Sequence, residues 1–586
     1  MPLVTPTTDA RPDPAGAGPT PPPASRGAAQ MDALHTVFTG ARVYLLWAAI
    51  GLVFYLYSLS YSTTYVYAAF ATSSFGAHTV VGTVAVVTAV LSGVVQPFNA
   101  RVADLVSRPA ALALALALYT LGYALTAGAR TVAAVVAGQA LYTLGTAGIY
   151  QIQYLLLADL TPLKWRGVAI GVSSLPMVLN AFVGPFITKA VGALSANGWR
   201  WGYGMFCILM PVGVLPAVVL LAWAQRKSRG PEQGRQVLGV RNLTATLARG
   251  ATLADAPGLL LLGFALALLL LPPTLSTTAK GGYTNPSLIA MFAVGGVLLL
   301  TFVAWERVAA HPILPRRIMN RTFLTCTAIN ALYYLATYLS ETYYLSWVYV
   351  LKPGWSDAKY AMFGNALVVT LWGGTLLSGA VQRLTRRNKP LLLAGLAIRV
   401  VGEGVQFLTV NGNSSDVAVV FSRVLIGLGG ACQYTATQVA VQACVPHADM
   451  AAALALQALA TYIGSSVAGA VSAAVWNAQV PARLEKYLGD RYDAAQRATI
   501  FGSIIAARAA EPHALVVRAY TESLRPLFAA ALALAGVTFF LGFVIDDIVL
   551  GDTHNAVEDK VVRLGRADAD AEEGRVEGEK EAWGHK

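Results

Sequence analysis

Long apolar runs separated by short polar breaks dominate the chain from residue 43 to residue 548. Most runs are close to the roughly 20 residues that an α-helix needs to cross a bilayer core about 30 Å thick. The pattern predicts an all-α polytopic membrane protein with 14 transmembrane helices. The predicted spans are 43–69, 79–100, 109–128, 131–157, 168–190, 200–224, 257–272, 286–305, 321–350, 360–381, 390–410, 416–445, 449–476 and 525–548.

Basic residues are distributed unevenly between the two sides of the predicted helices. With the N-terminus placed inside, the inner connections hold 18 Lys and Arg residues, whereas the short outer connections hold six. Cytosolic loops of membrane proteins carry such an excess of positive charge, so we expect both termini in the cytosol. The net charge of +12 is therefore better explained by topology and anionic lipid headgroups than by nucleic acid.

The composition agrees with lipid as the surrounding medium. Hydrophobic residues make up 56% of the chain and charged residues 12%, and the mean hydropathy is +0.57. The first 30 residues contain eight prolines and no apolar run, which indicates a disordered tail rather than a signal peptide. All four cysteines lie in apolar stretches, and the sequence has neither a disulfide framework nor a CxxC pair.

The pattern also divides the chain into segments. A long outer connection follows the thirteenth span, and its apolar periodicity predicts short amphipathic helices that form an ordered, substrate-facing lid. The predicted segments are a disordered cytosolic N-terminal tail, 1–41; an N-terminal six-helix bundle, 42–224; a cytosolic loop, 225–256; two additional spans, 257–305; spans nine to thirteen of the C-terminal bundle, 306–476; the extracellular or lumenal loop, 477–524; the last span, 525–548; and an acidic cytosolic tail, 549–586.

Two charged motifs, ARVADLVSR and ADLTPLKWRG, follow the second and fourth spans. Both resemble loop signatures of the major facilitator superfamily, in which such charges pair across helix ends and hold the inner gate. Charges in short loops can also serve simply to set the topology. The inner-gate candidates in the two motifs are Arg101, Asp104, Arg108, Asp159, Lys164 and Arg166.

Longer segments sharpen this resemblance. In chain order they are SLSYSTTYVYAAFATSSFGAH, GTAGIYQIQYLLLADLTPLKWRG, NGWRWGYGMF, VQACVPHADMAAALALQALATYIGSSVAGAVSAAVWNAQVPARLEKYL, RAYTESLRPLF and IDDIVLGDTHNAVEDK. Over roughly residues 42–560 the chain resembles the fungal siderophore-iron transporter family, the 14-span siderophore-iron:proton symporters of the major facilitator superfamily. Residues 442–488 and the long outer loop are the most specific part, because 14-span drug exporters lack that loop.

The resemblance implies proton-driven import of iron(III)-siderophore chelates, or of haem in some relatives, across a plasma or endosomal membrane. It implies a monomer with the major facilitator fold that works by alternating access and has no nucleic-acid partner. The chelate already wraps its iron, so no cofactor and no metal ligands are expected. Two alternatives stay open: a proton-driven exporter of drugs or glutathione on the same architecture, and a nutrient sensor that has lost transport.

Polar residues inside the predicted spans are candidates for the wall of a cargo cavity. Tyr57, Tyr61 and Tyr65 are spaced i, i+4, i+8 and therefore share a face of the first helix. Polar residues in other spans are costly in lipid, so they should face a cavity or pack between helices. These further cavity candidates are Gln151, Tyr154, Tyr344, Arg423, Gln433, Tyr434 and Gln438. His78 and Tyr520, near the outer ends of spans, are candidates for the first contact with cargo.

Charged residues inside spans are the candidates for proton coupling. Arg399 and Glu403 lie four residues apart in the eleventh span, where they can form an ion pair within the helix. Glu341, in the ninth span, can load and unload a proton if the protein shelters it from lipid. Arg399, Glu403 and Arg423 together leave a net positive charge, which is compatible with a purely structural pair or with an anionic cargo.

Overall fold

The computed structural model describes residues 37–38, 40–64, 67, 80–191, 198–228, 255–276, 279–309, 312–313, 315–410, 415–553 and 555–557. Within these ranges, 14 helices have 15 residues or more, and each corresponds to one predicted span. They are α1, Ala41–Thr64; α2, Val80–Leu105; α3, Arg108–Ala127; α4, Val132–Leu160; α5, Leu163–Ala190; α6, Gly198–Ser228; α7, Ala256–Leu270; α8, Pro286–Val308; α9, Arg321–Glu341; α10, Asp357–Thr385; α11, Lys389–Val410; α12, Asp416–Ala443; α13, Met450–Leu488; and α14, His513–Gly542.

The structure confirms the all-helical membrane fold. In the described part of the chain, 11 helices are long and apolar enough to cross a membrane, and α2, α7 and α9 are not among them. The count of 14 spans therefore stays a prediction. The ninth span also differs from its predicted bounds of 321–350, because α9 ends at Glu341 and a separate helix, Tyr344–Leu351, follows it.

Polar side chains at the helix starts satisfy backbone amides that the helices themselves leave without partners. Ser107, Thr131 and Asn320 accept hydrogen bonds from amides in the first turns of α3, α4 and α9. Asp255 caps α7 in the same way. In lipid an unpaired amide is costly, so these caps help to fix where each helix begins.

The long helices form two bundles and one additional pair. Helices α1–α6 pack together, as do α9–α14, while α7 and α8 pack on each other and α7 also contacts α2. The two bundles meet along two seams, α5 against α10 and α2 against α13. Helices from both bundles therefore surround the space between the two seams.

Glycines allow α3 and α4 to approach closely. A Cβ atom on Gly145 would lie 2.2 Å from the backbone nitrogen of Tyr119, and one on Gly122 would lie 2.2 Å from that of Tyr142. Small residues at helix contacts let backbones pack tightly in membranes. This contact fixes the positions of the α4 residues that face the other bundle.

The long outer connection is shorter than the predicted 477–524, because α13 continues to Leu488 and α14 begins at His513. It contains two short helices, Ala494–Gly502 and Ile504–Ala509. Arg508 donates hydrogen bonds to the carbonyl oxygens of Pro353 and Trp355, at 2.6 and 2.8 Å. These contacts hold the connection on the C-terminal bundle.

One face of the molecule, here called the basic face, carries the starts of α5, α9 and α11 and the ends of α10 and α12. The residues after α14 turn back onto it. The amides of Leu163 and Leu550 donate to the carbonyls of Thr553 and Arg386, at 3.1 and 2.9 Å. The described start of the predicted tail, 549–553 and 555–557, is thus folded onto the protein, whereas residues 1–36 and 558–586 lie outside the described residues.

Candidate functional site

A cavity of about 500 Å³ lies between the two bundles. Nine of its 23 lining residues are tyrosines, and none of the described residues that line it carries a charged side chain. Tyr61 and Tyr338, at the ends of α1 and α9 away from the basic face, are 57% and 44% exposed. The lining therefore includes partly exposed side chains toward the face opposite the basic face. Its lining is Tyr57, Tyr61, Thr64, Thr88, Ser92, Tyr123, Gln139, Tyr142, Thr143, Thr146, Tyr150, Met177, Asn330, Tyr334, Tyr338, Trp372, Tyr434, Gln438, Gln457, Ala458, Thr461, Tyr462 and Ser465.

Aromatic side chains link the two bundles at the cavity wall. The hydroxyl groups of Tyr150, on α4, and Tyr434, on α12, lie 3.2 Å apart and share a hydrogen bond. The ring of Trp372 lies 5.7 Å from that of Tyr434, and the ring of Tyr57 lies 5.8 Å from that of Tyr150. We call these four residues the aromatic bridge. A smaller space on its other side is lined by Gln153, Tyr154 and several serines.

Four of the ten predicted cavity residues line the cavity: Tyr57, Tyr61, Tyr434 and Gln438. Gln433 lies behind the cavity wall, and its amide nitrogen donates to Oδ1 of the lining residue Asn330 at 2.6 Å. Tyr154 lines the smaller space. Tyr65 and His78 lie outside the described residues.

Other predicted cargo contacts lie elsewhere in the structure. Gln151 is buried away from the cavity lining. Tyr344 is buried in the core of the C-terminal bundle, where its ring packs against Phe528. Tyr520 is also buried, and its hydroxyl donates to the carbonyl oxygen of Ile500 at 3.0 Å. None of these three residues lines the cavity, and their contact with cargo stays a prediction. Sequence spacing indicates a polar position but not which neighbouring helix it faces.

The connection at residues 489–512 corresponds to the predicted lid, whose substrate-facing role stays a prediction. None of its described residues lines the cavity. His513 Nε2 lies 2.9 Å from the carbonyl oxygen of Val350, so the start of α14 is tied to the helix Tyr344–Leu351. The connection is a cap on one bundle, and its apolar residues complete that bundle's core.

Two ion pairs lie together inside the C-terminal bundle. Arg399 Nη2 contacts Glu403 Oε1 at 2.8 Å, and both side chains are almost fully buried. Arg423 Nη1 contacts Glu341 Oε2 at 2.5 Å. We call these four residues the charge cluster. With Glu341 included, two arginines face two glutamates, which corrects the expected net positive charge and explains why Arg423 does not reach the cavity.

Neutral groups complete the charge cluster and connect it to α9. Arg399 Nη2 also donates to Thr337 Oγ1 at 2.8 Å, and its guanidinium lies 3.9 Å from the centre of the Tyr333 ring. Gln406 Nε2 donates to Glu341 Oε1 at 3.2 Å. The next positions along α9, Tyr334 and Tyr338, line the cavity. One helix thus presents tyrosines to the cavity on one side and contacts the buried charges on the other.

The charged motifs meet at the basic face. Arg108 is buried, and it contacts Asp104 Oδ1 at 2.6 Å and Asp159 Oδ2 at 3.2 Å. Arg166 donates to the carbonyl oxygens of Ala158 and Thr161, at 2.9 and 2.8 Å. These contacts tie together the ends of α2 and α4 and the starts of α3 and α5.

Contacts also extend from these motifs to other parts of the chain. Arg101 Nη2 donates to the carbonyl oxygen of Pro312, in the connection between α8 and α9, at 3.0 Å. His447 Nε2, next to the start of α13, lies 3.9 Å from Asp159 Oδ1. The second of these contacts joins the two bundles at the basic face.

Sequence reasoning missed much of the cavity wall. Tyr334 and Tyr338 are spaced i, i+4 on α9, and Tyr142, Thr146 and Tyr150 repeat every four residues on α4. This spacing could have identified them as cavity residues, because it places polar groups on one face of a helix. A single aromatic residue such as Trp372 has no such pattern around it. An aromatic residue in a span is as typical of packing between helices as of a cavity wall.

Comparisons with known proteins identify relatives of the chain. Residues 48–380 match the family model described as Major Facilitator Superfamily. The chain is 34% identical to "Siderophore transporter fer7" of Mycosarcoma maydis, covering 91% of this chain and 85% of that protein. It is 33% identical to "Low affinity heme transporter str3" of Schizosaccharomyces pombe, covering 85% and 80%.

The fold is also similar to solved structures. One is a bacterial homologue of the iron transporter ferroportin in an outward-facing state, with a TM-score of 0.51 and 12% identity over 84% of this chain and 98% of that one. At this identity the likeness concerns the fold alone. Among the described residues, no group of three or more His, Cys, Asp or Glu side chains could hold a metal ion.

Proposed function

The chain belongs to the major facilitator superfamily and, within it, to the fungal siderophore-iron transporter family, and from this premise we propose that it imports ferric siderophores by proton symport. The iron is part of the cargo and is held by the siderophore, so the protein needs no cofactor for the task. The membrane is the plasma membrane or an endosomal membrane, and the transporter works as a monomer.

The observation that carries this proposal is the uncharged, tyrosine-rich cavity between the bundles. A wrapped ferric chelate offers no open coordination site, so a transporter must recognise its organic shell. Tyrosine hydroxyls and the amides of Gln438 and Gln457 can hydrogen bond to carbonyl and hydroxyl groups, while aromatic rings pack on apolar parts. Buried charges in the wall would instead require a cargo of opposite charge.

The orientation follows from the excess of Lys and Arg in the connections of one side. By the positive-inside rule the basic face lies in the cytosol, as do both chain ends. The cavity then opens to the outside, and the contact of His447 with Asp159 joins the bundles on the inside. This is the state in which an importer loads its cargo.

Alternating access needs the two bundles to rock about the seams α5–α10 and α2–α13. For the cavity to open inward, the aromatic bridge must part, because Tyr150 and Tyr434 belong to different bundles. The contact of His447 with Asp159 must part as well. The cargo then leaves along a path that these contacts close in the outward-facing state.

The charge cluster is the proposed site of proton coupling. The side chain of Glu341 is 14% exposed and that of Glu403 only 1%, so a proton from outside reaches Glu341 first. A carboxyl that gains a proton loses its ion pair, which frees the partner arginine to change its contacts. Glu341 is the last residue of α9, and Tyr334 and Tyr338 on the same helix line the cavity. Protonation is thereby linked to the cargo site through one helix.

Uptake of chelates loaded with iron-55 tests the cargo. The assay uses a yeast strain that lacks its own siderophore transporters, with ferric hydroxamates, ferric catecholates and haem as competitors at external pH 5 and 7. We expect accumulation of at least one ferric siderophore, and faster accumulation at pH 5. No uptake of any chelate, together with acquired drug tolerance, would instead support an exporter.

Haem is a second candidate cargo, favoured by the 33% identity to a protein named as a haem transporter. Haem is planar and aromatic, and it would stack on the tyrosine rings of the wall. In the competition assay, haem that blocks siderophore uptake would place both in one site. Uptake of haem without uptake of any siderophore would show that the cargo is haem rather than a ferric siderophore.

A further inference from the structure

The sequence motif IDDIVLGDTHNAVEDK has no role in the cavity or in the charge cluster. Its first part follows α14 and runs across the basic face. Ile545, Ile548 and Leu550 are buried, and they belong to a core that contains residues of both bundles. We call residues 545–553 the clasp.

The clasp is bound firmly to the C-terminal bundle. Thr322 Oγ1, at the start of α9, donates to Asp546 Oδ2 at 2.7 Å. Leu550 donates its amide to the carbonyl oxygen of Arg386 at 2.9 Å, and Val549 forms a β-bridge with Arg387. Asp547 Oδ2 lies 3.7 Å from Arg387 Nη1. The bundle that contains α14 therefore carries the clasp.

The same segment reaches the N-terminal bundle at the start of α5. The amides of Leu163 and Lys164 donate to the carbonyl oxygens of Thr553 and Gly551, at 3.1 and 3.0 Å. The ammonium group of Lys164 forms an ion pair with Asp552. The first amides of a helix have no partner within it, so the clasp supplies acceptors that α5 would otherwise lack.

We propose that the clasp is a latch of the transport cycle: it joins the two bundles across the basic face in the outward-facing state, and its contacts with Leu163 and Lys164 break before the cavity opens inward. The proposal rests on the alternating access described under the proposed function. Lys164 then acts in the inner gate through the end of the chain rather than through a neighbouring helix.

The contacts between the clasp and the start of α5 determine which experiment can test the latch. Asp552 is largely exposed, and an ion pair at such a surface contributes little, so neutralising it should change the rate of transport only slightly. Only proline at Leu163 or Lys164 would remove the two backbone hydrogen bonds, and proline would also change the backbone at the start of α5. A covalent link across the contact is therefore a sharper test than its removal.

The test compares two cysteine pairs in the purified full-length chain, reconstituted into lipid vesicles. Lys164→Cys with Asp552→Cys joins the clasp to the N-terminal bundle. Arg387→Cys with Asp547→Cys joins it to the C-terminal bundle that already carries it, and so serves as the matched control. A short bifunctional thiol reagent that a reductant can cleave forms each link, and the unsubstituted chain receives the same treatment.

We expect both links to form. The first should lower cargo uptake at least tenfold, with recovery after reduction, while cargo binding from outside persists. The control link should leave uptake within twofold of the untreated sample. Full uptake through the linked first pair, or failure of that pair to link, would overturn the proposal. Absence of uptake in every sample, including the untreated unsubstituted chain, would instead refute the proposed function.

Discussion

At the scale of single residues, the molecule holds two arginines and two glutamates inside one bundle. A buried charge is costly in a membrane and is retained where it has a partner or a function. Here each arginine has a carboxylate within 2.8 Å. The pairs differ in exposure, since Glu341 is partly exposed and Glu403 is not. That difference gives Glu341 the role of first proton acceptor in the proposed mechanism.

Changing Glu341 to Gln should remove the pH dependence of accumulation and leave cargo binding measurable. Glutamine keeps the size of the side chain and cannot exchange a proton, so the gradient no longer drives the cycle. The measurement is iron-55 chelate accumulation at external pH 5 and 7, with binding assayed on the same membranes. Glu485→Gln is the matched control, because that side chain is 72% exposed at the outer end of α13. Normal pH dependence in the Glu341 variant would remove this residue from the mechanism.

The effects of replacing Arg399 and Glu403 on the stability of the protein should not be additive. Replacing Arg399 alone by Leu leaves a buried carboxylate without its partner, which costs about 3–5 kcal/mol for pairs of this kind. Replacing both residues by Leu should cost less, because no lone charge remains buried. Thermal unfolding of the detergent-solubilised variants measures the two effects. A double variant that unfolds at a lower temperature than the single one would contradict this account.

The sequence was sufficient to predict the ion pair within α11, because residues four apart on a helix are neighbours. The second pair could not be predicted, since Glu341 and Arg423 lie 82 positions apart in the chain. The same holds for Tyr344, which faces the core of the bundle rather than the cavity. Which side of a helix meets which neighbour depends on the packing of the bundle.

At the scale of helices, apolar length predicted most of the elements. Hydropathy does not indicate where a helix continues into polar sequence. The predicted end of α13 at residue 476 is therefore too early, because the helix continues to Leu488. The folded start of the C-terminal tail was also missed, because its partners are backbone groups of distant residues. Close contacts such as that between α3 and α4 then hold the helices at fixed distances.

Gly145→Leu should greatly reduce the amount of folded protein. Even a Cβ atom at this position would lie 2.2 Å from the backbone of Tyr119, which cannot move without separating α3 from α4. Fluorescence-detected gel filtration of tagged variants measures the folded fraction. Gly469→Ala is the control, since a Cβ there would meet nothing within 4 Å. A normal folded fraction for Gly145→Leu would show that the two helices tolerate a wider spacing.

At the scale of the whole molecule, the cavity, the charge cluster and the clasp lie in different parts of the structure. The cavity faces both bundles, whereas the charge cluster lies within one bundle and the clasp spans the basic face. In the proposed mechanism, movement of one bundle against the other is the step at which cargo and proton are coupled. Coupling of this kind requires that each ligand change the equilibrium between the two states.

The most direct measurement is uptake of a ferric siderophore by vesicles that contain the purified chain. With an acidic exterior and a neutral interior, we predict accumulation of the chelate above its external concentration. A protonophore together with a potassium ionophore, added to collapse the gradient, should abolish that accumulation and leave only equilibration. Accumulation to the same level after the gradient has been collapsed would contradict proton-coupled import.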